Sequence, residues 1–138
     1  MAIPYLACMA ATAAFYALPP RVLPAIQAVE GGKPGMVRPN ADGSADLGLM
    51  QVNTRWVAPI ARYVGLTPDA VRARLAAEPC FNIAAAGAIM RVYLNEAHGD
   101  LMQAVGAYHS HTPALNQAYQ VLVLHSAIRL FVRGGAGR

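Results

Sequence analysis

The sequence predicts an all-α fold in a single domain, on three observations. The chain has 138 residues, a length that suits one domain. Apolar residues make up 56% and charged residues 13%, which is enough for a core and too apolar for a disordered chain. Helix caps and apolar residues at helical spacing recur, whereas no segment alternates like a β-strand. We therefore expect the main domain in residues 21–132, after an N-terminal segment in 1–20 and before a disordered tail in 133–138.

Residues 1–18 carry no charged side chain and allow two interpretations. The first is a residual secretory signal, although the usual Lys or Arg at its start is missing. The second is a retained helix in residues 3–18, ended by Pro19 and the proline after it. Removal of a signal would take Cys8 away and leave Cys80 as a single thiol, whereas retention keeps both cysteines.

The next segments follow in order. Residues 21–30 have apolar side chains at helical spacing, and Gly31 begins a Gly-Gly pair that ends a helix, so Glu30 is the last helical residue. Residues 31–46 are rich in Gly, Pro, Asn, Asp and Ser and predict an irregular loop. Residues 47–53 predict a short buried helix or turn.

Caps and proline positions predict the remaining helices. The first is residues 54–64. The second is residues 67–77, with Thr67 as its cap and Pro68 after it. The others are residues 82–97 with Asn82 as the cap, residues 99–108, and residues 113–132, which begin at Pro113.

The net charge of +4, from 11 basic and seven acidic side chains, favours anionic partners such as nucleic acid, anionic lipid or acidic wall polymers. The arginines are scattered singly, without a dense run or interleaved aromatic residues, so we expect no nucleic-acid binding. His109 and His111 have no third ligand at helical spacing, so we expect no metal site.

Glu30 is the strongest catalytic candidate. A carboxylate at a helix C-terminus faces the negative end of the macrodipole, and the apolar neighbours Ile26 and Val29 remove water from it. Both effects favour the protonated acid. Glycoside cleavage needs a carboxylic acid that is protonated near neutral pH. The alternative is a Glu that merely ends a helix in water.

Three motifs follow Glu30 in order. They are Gly48-Leu49-Met50-Gln51, the segment Ala104-Val105-Gly106-Ala107-Tyr108-His109, and Tyr119 in the last helix. This ordered set resembles the lytic transglycosylases of the goose-type lysozyme superfamily. The resemblance is closest to their small members associated with secretion, conjugation and pilus systems, whose patterns are similar to residues 40–51 and to Cys80-Phe81-Asn82-Ile83 here. It covers the chain from Cys8 to about Val123.

The resemblance implies a lysozyme-like fold and cleavage of the β-1,4 bond between N-acetylmuramic acid and N-acetylglucosamine in peptidoglycan, with a 1,6-anhydro product. Glu30 would be the catalytic acid and base. The residues implied to bind substrate are Gly48, Met50, Gln51, Tyr108, His109 and Tyr119. The resemblance also implies a disulfide between Cys8 and Cys80, which favours the retained first helix. No cofactor is implied, and we expect a periplasmic monomer that opens the wall for an envelope-spanning apparatus.

Two departures from the family pattern stand in the sequence. Gly31-Gly32 follows the Glu where the family commonly has Ser, and His109 replaces the usual Asn after the motif tyrosine. Histidine keeps a donor and an acceptor but can become charged, which affects the substrate contact expected at this position.

Two rival functions remain open. A hydrolytic lysozyme would use Glu30 with a water positioned by Asp42 or Asp46. A non-catalytic wall-binding or assembly protein is the other rival, and His109 is its best argument. Trp56 either lines the cleft and stacks on sugar or packs in the core.

Overall fold

The computed structural model describes residues 3–133, most of which are helical. The predicted disordered tail falls largely in residues 134–138, which lie outside the described residues. The helices are α1 (Leu6–Phe15), α2 (Val22–Glu30), α3 (Val57–Val64), α4 (Pro68–Ala77), α5 (Pro79–Glu96), α6 (Leu101–His109) and α7 (Pro113–Ile128). A 3-10 turn, Thr54–Trp56, leads into α3, and a π-helical turn, Arg129–Arg133, follows α7. None of the helices in the described part of the chain has the length and apolarity to cross a membrane.

A small antiparallel sheet is the main departure from the sequence prediction. Its strands lie in the order β1 (Val37–Pro39), β2 (Ala45–Leu47) and β3 (Val52–Asn53). The predictions of an irregular loop in 31–46 and of a helix or turn in 47–53 were therefore wrong at these residues. Strands of two or three residues are too short to show an alternating apolar pattern, so periodicity could not reveal them.

Several predicted helix ends are confirmed. Helix α2 ends at Glu30, and Gly31 follows in the left-handed conformation with φ of 65°. The Thr67 side chain accepts a hydrogen bond from the backbone N–H of Ala70 at the start of α4.

The start of α5 was predicted wrongly. The helix begins at Pro79, and Asn82 lies inside its first turn with its backbone N–H bonded to the carbonyl of Glu78. Proline suits the first helical position because it has no N–H to satisfy there. The Asn82 side chain is fully buried and serves tertiary contacts instead of a cap.

Helix α5 lies at the centre of the fold and contacts α1, α4 and α6, while α7 packs on α2 and α6. The disulfide between Cys8 and Cys80 joins α1 to the first turn of α5, with a Cα–Cα distance of 5.5 Å. It confirms the pairing that the resemblance implied. Further along, Gly87 lets Thr12 of α1 and Tyr16, just after α1, approach the α5 backbone, because a Cβ at this position would overlap Thr12.

Candidate active site

Glu30 lies at the C-terminal end of α2 and is held there from α7. The Tyr119 hydroxyl donates a hydrogen bond of 2.5 Å to Oε2 of Glu30. One turn earlier in α2, the carbonyl of Ala25 accepts a hydrogen bond from the Ser126 hydroxyl at 2.9 Å. The two contacts fix α7 against α2 and so fix the direction of the carboxyl group.

The pKa of Glu30 is raised above its ordinary value, and the main cause is burial. The Tyr119 hydrogen bond acts in the opposite direction, because it favours the charged carboxylate. The nearby Asp46 raises the pKa further, and Arg38 lowers it. The net direction agrees with the sequence expectation of an acid that keeps its proton closer to neutral pH.

Tyr119 is buried, and its pKa is raised by that burial and then by the charge of Glu30. Its hydroxyl therefore stays protonated and remains a donor. His109 stacks nearly parallel on the Tyr119 ring, with centroids 5.1 Å apart and an interplanar angle of 13°. His109 is exposed and lines the same cleft as Glu30.

The Gly48–Gln51 segment forms the floor behind the acid. The Met50 side chain is fully buried, and its carbonyl accepts a hydrogen bond of 2.7 Å from the Tyr108 hydroxyl. Gly48 has φ of 68° and lies against the carbonyl of Leu75, where a Cβ would overlap that oxygen. Gly48 and Met50 therefore shape the site through the backbone, while the cleft itself is lined by Gln51 and Tyr108.

Asn82 clamps this floor to the helices beneath it. Its Oδ1 accepts from the backbone N–H of Met50 at 2.7 Å. Its Nδ2 donates to the carbonyls of Leu47 and Leu75, each at 2.8 Å. One fully buried amide thus forms hydrogen bonds with three backbone groups, which would otherwise be buried without a hydrogen-bond partner. Sequence reasoning assigned Asn82 to a helix cap and missed this role, because its partners are distant in sequence.

Gln51 presents an unsatisfied acceptor. Its Nε2 donates to the carbonyl of Gly48 at 3.0 Å, and its backbone is left-handed with φ of 54°. Its buried Oε1 has no hydrogen-bond partner among the described residues. A buried oxygen without a partner is costly, and Gln51 lines the cleft, so Oε1 is available to a donor on a ligand.

The hairpin of β1 and β2 forms the opposite wall. The Ser44 hydroxyl links Asn40, Asp42 and Asn53, since it accepts from both amides and donates to the Asp42 carboxylate at 2.6 Å. These hydrogen bonds lower the pKa of Asp42, so its carboxylate is ionised and already engaged. Asp46 accepts from Asn53 Nδ2 at 2.9 Å and also faces the cleft. The cavity between the walls holds about 210 Å³.

Trp56 closes one end of the cleft. It is half-buried, and its ring meets Tyr93 edge-on with centroids 5.9 Å apart. Trp56 therefore both packs on the core and borders the cleft, and stacking on a sugar stays a prediction.

The structure brings together Glu30, Gln51, Tyr108 and His109 in one cleft, with Tyr119 directly behind the acid. The polar hairpin residues and Arg38 were not singled out as a group from the sequence. Their only signal was the dense polar string in residues 40–46.

Comparison with known proteins finds a matching family model and similar proteins. A family model for the transglycosylase SLT domain matches residues 7–120. Invasion protein IagB of Salmonella typhimurium and of Salmonella typhi is 32% identical to this chain over 80 residues. The match covers 58% of this chain and 46% of the Salmonella proteins, so it spans about half the length of these relatives.

Proposed function

The chain belongs to the transglycosylase SLT domain family, and from that premise we propose that it cleaves the β-1,4 bond between N-acetylmuramic acid and N-acetylglucosamine in peptidoglycan. The observation that carries the proposal is the half-buried Glu30 with its raised pKa, held by Tyr119 in an open polar cleft. Such a group meets the requirement for a general acid.

Glu30 would first donate its proton to the glycosidic oxygen as the bond from that oxygen to C1 of the muramic acid breaks. The resulting carboxylate would then take the proton from the 6-hydroxyl of the same sugar while O6 bonds to C1. The product is a 1,6-anhydro sugar, no water is consumed, and Glu30 is protonated again. Gln51 Oε1, which lacks a protein partner among the described residues, is suited to accept from the N–H of an acetamido group.

Hydrolysis is the second candidate, because one observation favours it. Asp46 lines the cleft and lies near enough to Glu30 to raise its pKa, so its carboxylate could hold a water for attack at C1. Asp42 suits this role less well because Ser44 already occupies its carboxylate. A hydrolase would release reducing ends, whereas a transglycosylase releases anhydro ends.

We also propose that the protein works outside the cytoplasm at an envelope-spanning apparatus. The disulfide supports an oxidising compartment. The Salmonella relatives are named invasion proteins, which supports a link to such an apparatus.

The test is digestion of purified peptidoglycan sacculi followed by mass spectrometry of the products. We expect the wild-type protein to release 1,6-anhydro muropeptides and Glu30→Gln to lose about 10²–10⁴-fold in rate, because an amide cannot deliver the proton. Glu78→Gln, at an exposed site outside the cleft, is the matched control and should retain full activity.

Activity of Glu30→Gln within about threefold of wild type, a loss below 1 kcal/mol, would refute the assignment of the acid. Products with reducing ends would support the hydrolase. Binding to sacculi without any turnover by the wild-type protein would instead support the wall-binding rival.

A further inference from the structure

A second groove continues from the cleft beyond Trp56. It lies between α3 and α5 beside the end of α1, and its cavity holds about 290 Å³. We call it the distal groove and define it by Tyr16, Trp56, Tyr63, Ile89 and Arg91, which include its three aromatic residues and its arginine. Trp56 and Ile89 line both the cleft and the distal groove, so the two are adjacent along one surface.

Resting on the proposed function, we infer that the distal groove binds the glycan strand beyond the cleft, with a sugar ring stacked on Tyr63. The strand is a long polymer, so it must continue past the cleft ends, and Trp56 marks one of them. Tyr63 lies seven residues after Trp56, which is about 10 Å along a helix. The shared wall makes the distal groove the next surface that a strand leaving this end would meet.

The chemistry of the distal groove fits a sugar ring. A pyranose carries C–H groups on its faces and hydroxyls at its edges. The lining of the groove is almost wholly apolar and aromatic, which suits the faces. Tyr63 is 68% exposed, so its ring is free to be covered.

Polar groups for the sugar edges stand at the rim. Arg91 donates from Nε to Asn95 at 3.1 Å and from Nη1 to the carbonyl of Tyr16 at 3.3 Å. These bonds hold the guanidinium in place, and Nη2 remains without a partner in residues 3–133. The neighbouring Tyr63 hydroxyl adds a donor and an acceptor.

The groove is also rigid on its inner side. The Tyr16 ring packs against Gly87 of α5, and Arg91 holds the backbone carbonyl of the same tyrosine. Burial, followed by the neighbouring Tyr63 hydroxyl, raises the pKa of Tyr16 to about 12, so the Tyr16 phenol stays protonated at neutral pH. A preformed surface loses little entropy when a ligand binds.

The test measures how binding depends on chain length, in a background that does not cleave. The full chain with Glu30→Gln is titrated calorimetrically with β-1,4-linked N-acetylglucosamine oligomers, from the disaccharide to the hexasaccharide. We expect affinity to rise with length. Adding Tyr63→Ala should weaken hexasaccharide binding roughly three- to tenfold, as expected for the loss of one aromatic stack, and leave disaccharide binding unchanged.

Two variants serve as controls. Tyr63→Phe keeps the ring and should retain most of the hexasaccharide affinity. Tyr5→Ala removes an exposed tyrosine that lines a different groove, near Lys33, and should bind every oligomer as the Glu30→Gln parent does.

Two results would overturn the inference and leave the proposed function standing. One is an unchanged length dependence in Tyr63→Ala, which would assign the groove to another partner such as a protein. The other is an equal loss at all lengths, which would mean that Tyr63 acts through the fold. Failure of the Glu30→Gln parent to bind any oligomer would instead overturn the proposed function as well.

Discussion

At the scale of single residues, Tyr119 limits how far burial raises the pKa of the proposed catalyst, Glu30. Its hydroxyl favours the carboxylate of Glu30 and so lowers a pKa that burial raises. A general acid must be protonated, so activity should fall as the pH rises through the pKa of Glu30. The hydrogen bond thus limits how far into the alkaline range the acid can work.

We therefore expect Tyr119→Phe to move the basic limb of the pH profile of kcat/KM to higher pH. Loss of the donor removes the contact that lowers the pKa of Glu30. Tyr108→Phe is the control, because that hydroxyl bonds to the Met50 carbonyl and not to the acid. The explanation fails if the two variants shift the basic limb equally, or if Tyr119→Phe shifts it to lower pH.

His109 stacks on the ring of Tyr119, whose hydroxyl holds Glu30. The ring stacking lets a protonated imidazole withdraw electron density from the phenol and strengthen its hydrogen bond to Glu30. A positive charge also lies at the cleft when His109 is protonated. Both effects lower the pKa of Glu30 and make it a weaker donor.

Activity should accordingly decline in acid, where histidine side chains become charged. His109→Asn should extend activity to lower pH, measured as a downward shift of the acidic limb. His125→Asn, at an exposed position on α7 outside the cleft, should leave the limb in place. Identical profiles for wild type and His109→Asn would exclude His109 from the proton chemistry.

At the scale of secondary structure elements, Asn82 joins the sheet and the motif segment to α4 and α5. We expect Asn82→Ala to destabilise the fold by about 2–4 kcal/mol, because it leaves the N–H of Met50 and two carbonyls buried without a partner. Urea unfolding measures the loss. Asn95→Ala, at an exposed position on the same helix, should change stability by less than about 0.5 kcal/mol. Equal stabilities for the two variants would contradict the clamp.

Asn82 also shows which features the sequence could reveal. Helix ends were predictable because Gly31 and Thr67 act on backbone within a few residues. The clamp was not, since Asn82 bonds to Met50 and Leu47, which lie 32 and 35 residues away. The short strands could not be predicted for a related reason, because their stability comes from pairing and not from a local pattern.

In the candidate site, too, the sequence predicted some features and missed others. A glutamate at a helix end pointed to Glu30, and the ordered motifs pointed to the segments around it. The Tyr119 contact joins residues 89 positions apart, and only the fold brings them together. The Gly48–Gln51 motif also did not reveal that the Met50 carbonyl binds Tyr108 while the Met50 side chain belongs to the core.

At the scale of the whole molecule, the disulfide stabilises the fold, whereas burial of the charged Glu30 side chain destabilises it. The bond between Cys8 and Cys80 spans 72 residues, and restricting the unfolded chain over that distance stabilises the fold by about 3–5 kcal/mol. That stability allows the fold to bury much of Glu30, although burial disfavours the charged form of its carboxyl group.

The way in which Glu30 makes stability depend on pH follows from the difference between its folded and unfolded pKa. The folded protein raises the pKa of Glu30, so folding favours the protonated form. The stabilising contribution of Glu30 is fully present below the unfolded pKa and is lost as the pH rises through the folded pKa. Glu30→Gln removes the charge and keeps an oxygen that can accept from Tyr119. The variant should therefore be more stable than wild type at pH values above the folded pKa of Glu30, and equal to it below about pH 4.

Thermal unfolding from pH 3 to 8 tests this expectation. Each unit of difference between folded and unfolded pKa corresponds to about 1.4 kcal/mol, and a gain of that order raises Tm by about 3–6 °C in a domain of this size. Glu78→Gln loses only a surface ion pair with Arg74 and should show no gain at neutral pH. A Glu30→Gln variant that is less stable than wild type at pH 8, or whose gain does not vanish in acid, would mean that burial does not disfavour the carboxylate. The suitability of Glu30 as a proton donor would then have to come from the substrate complex.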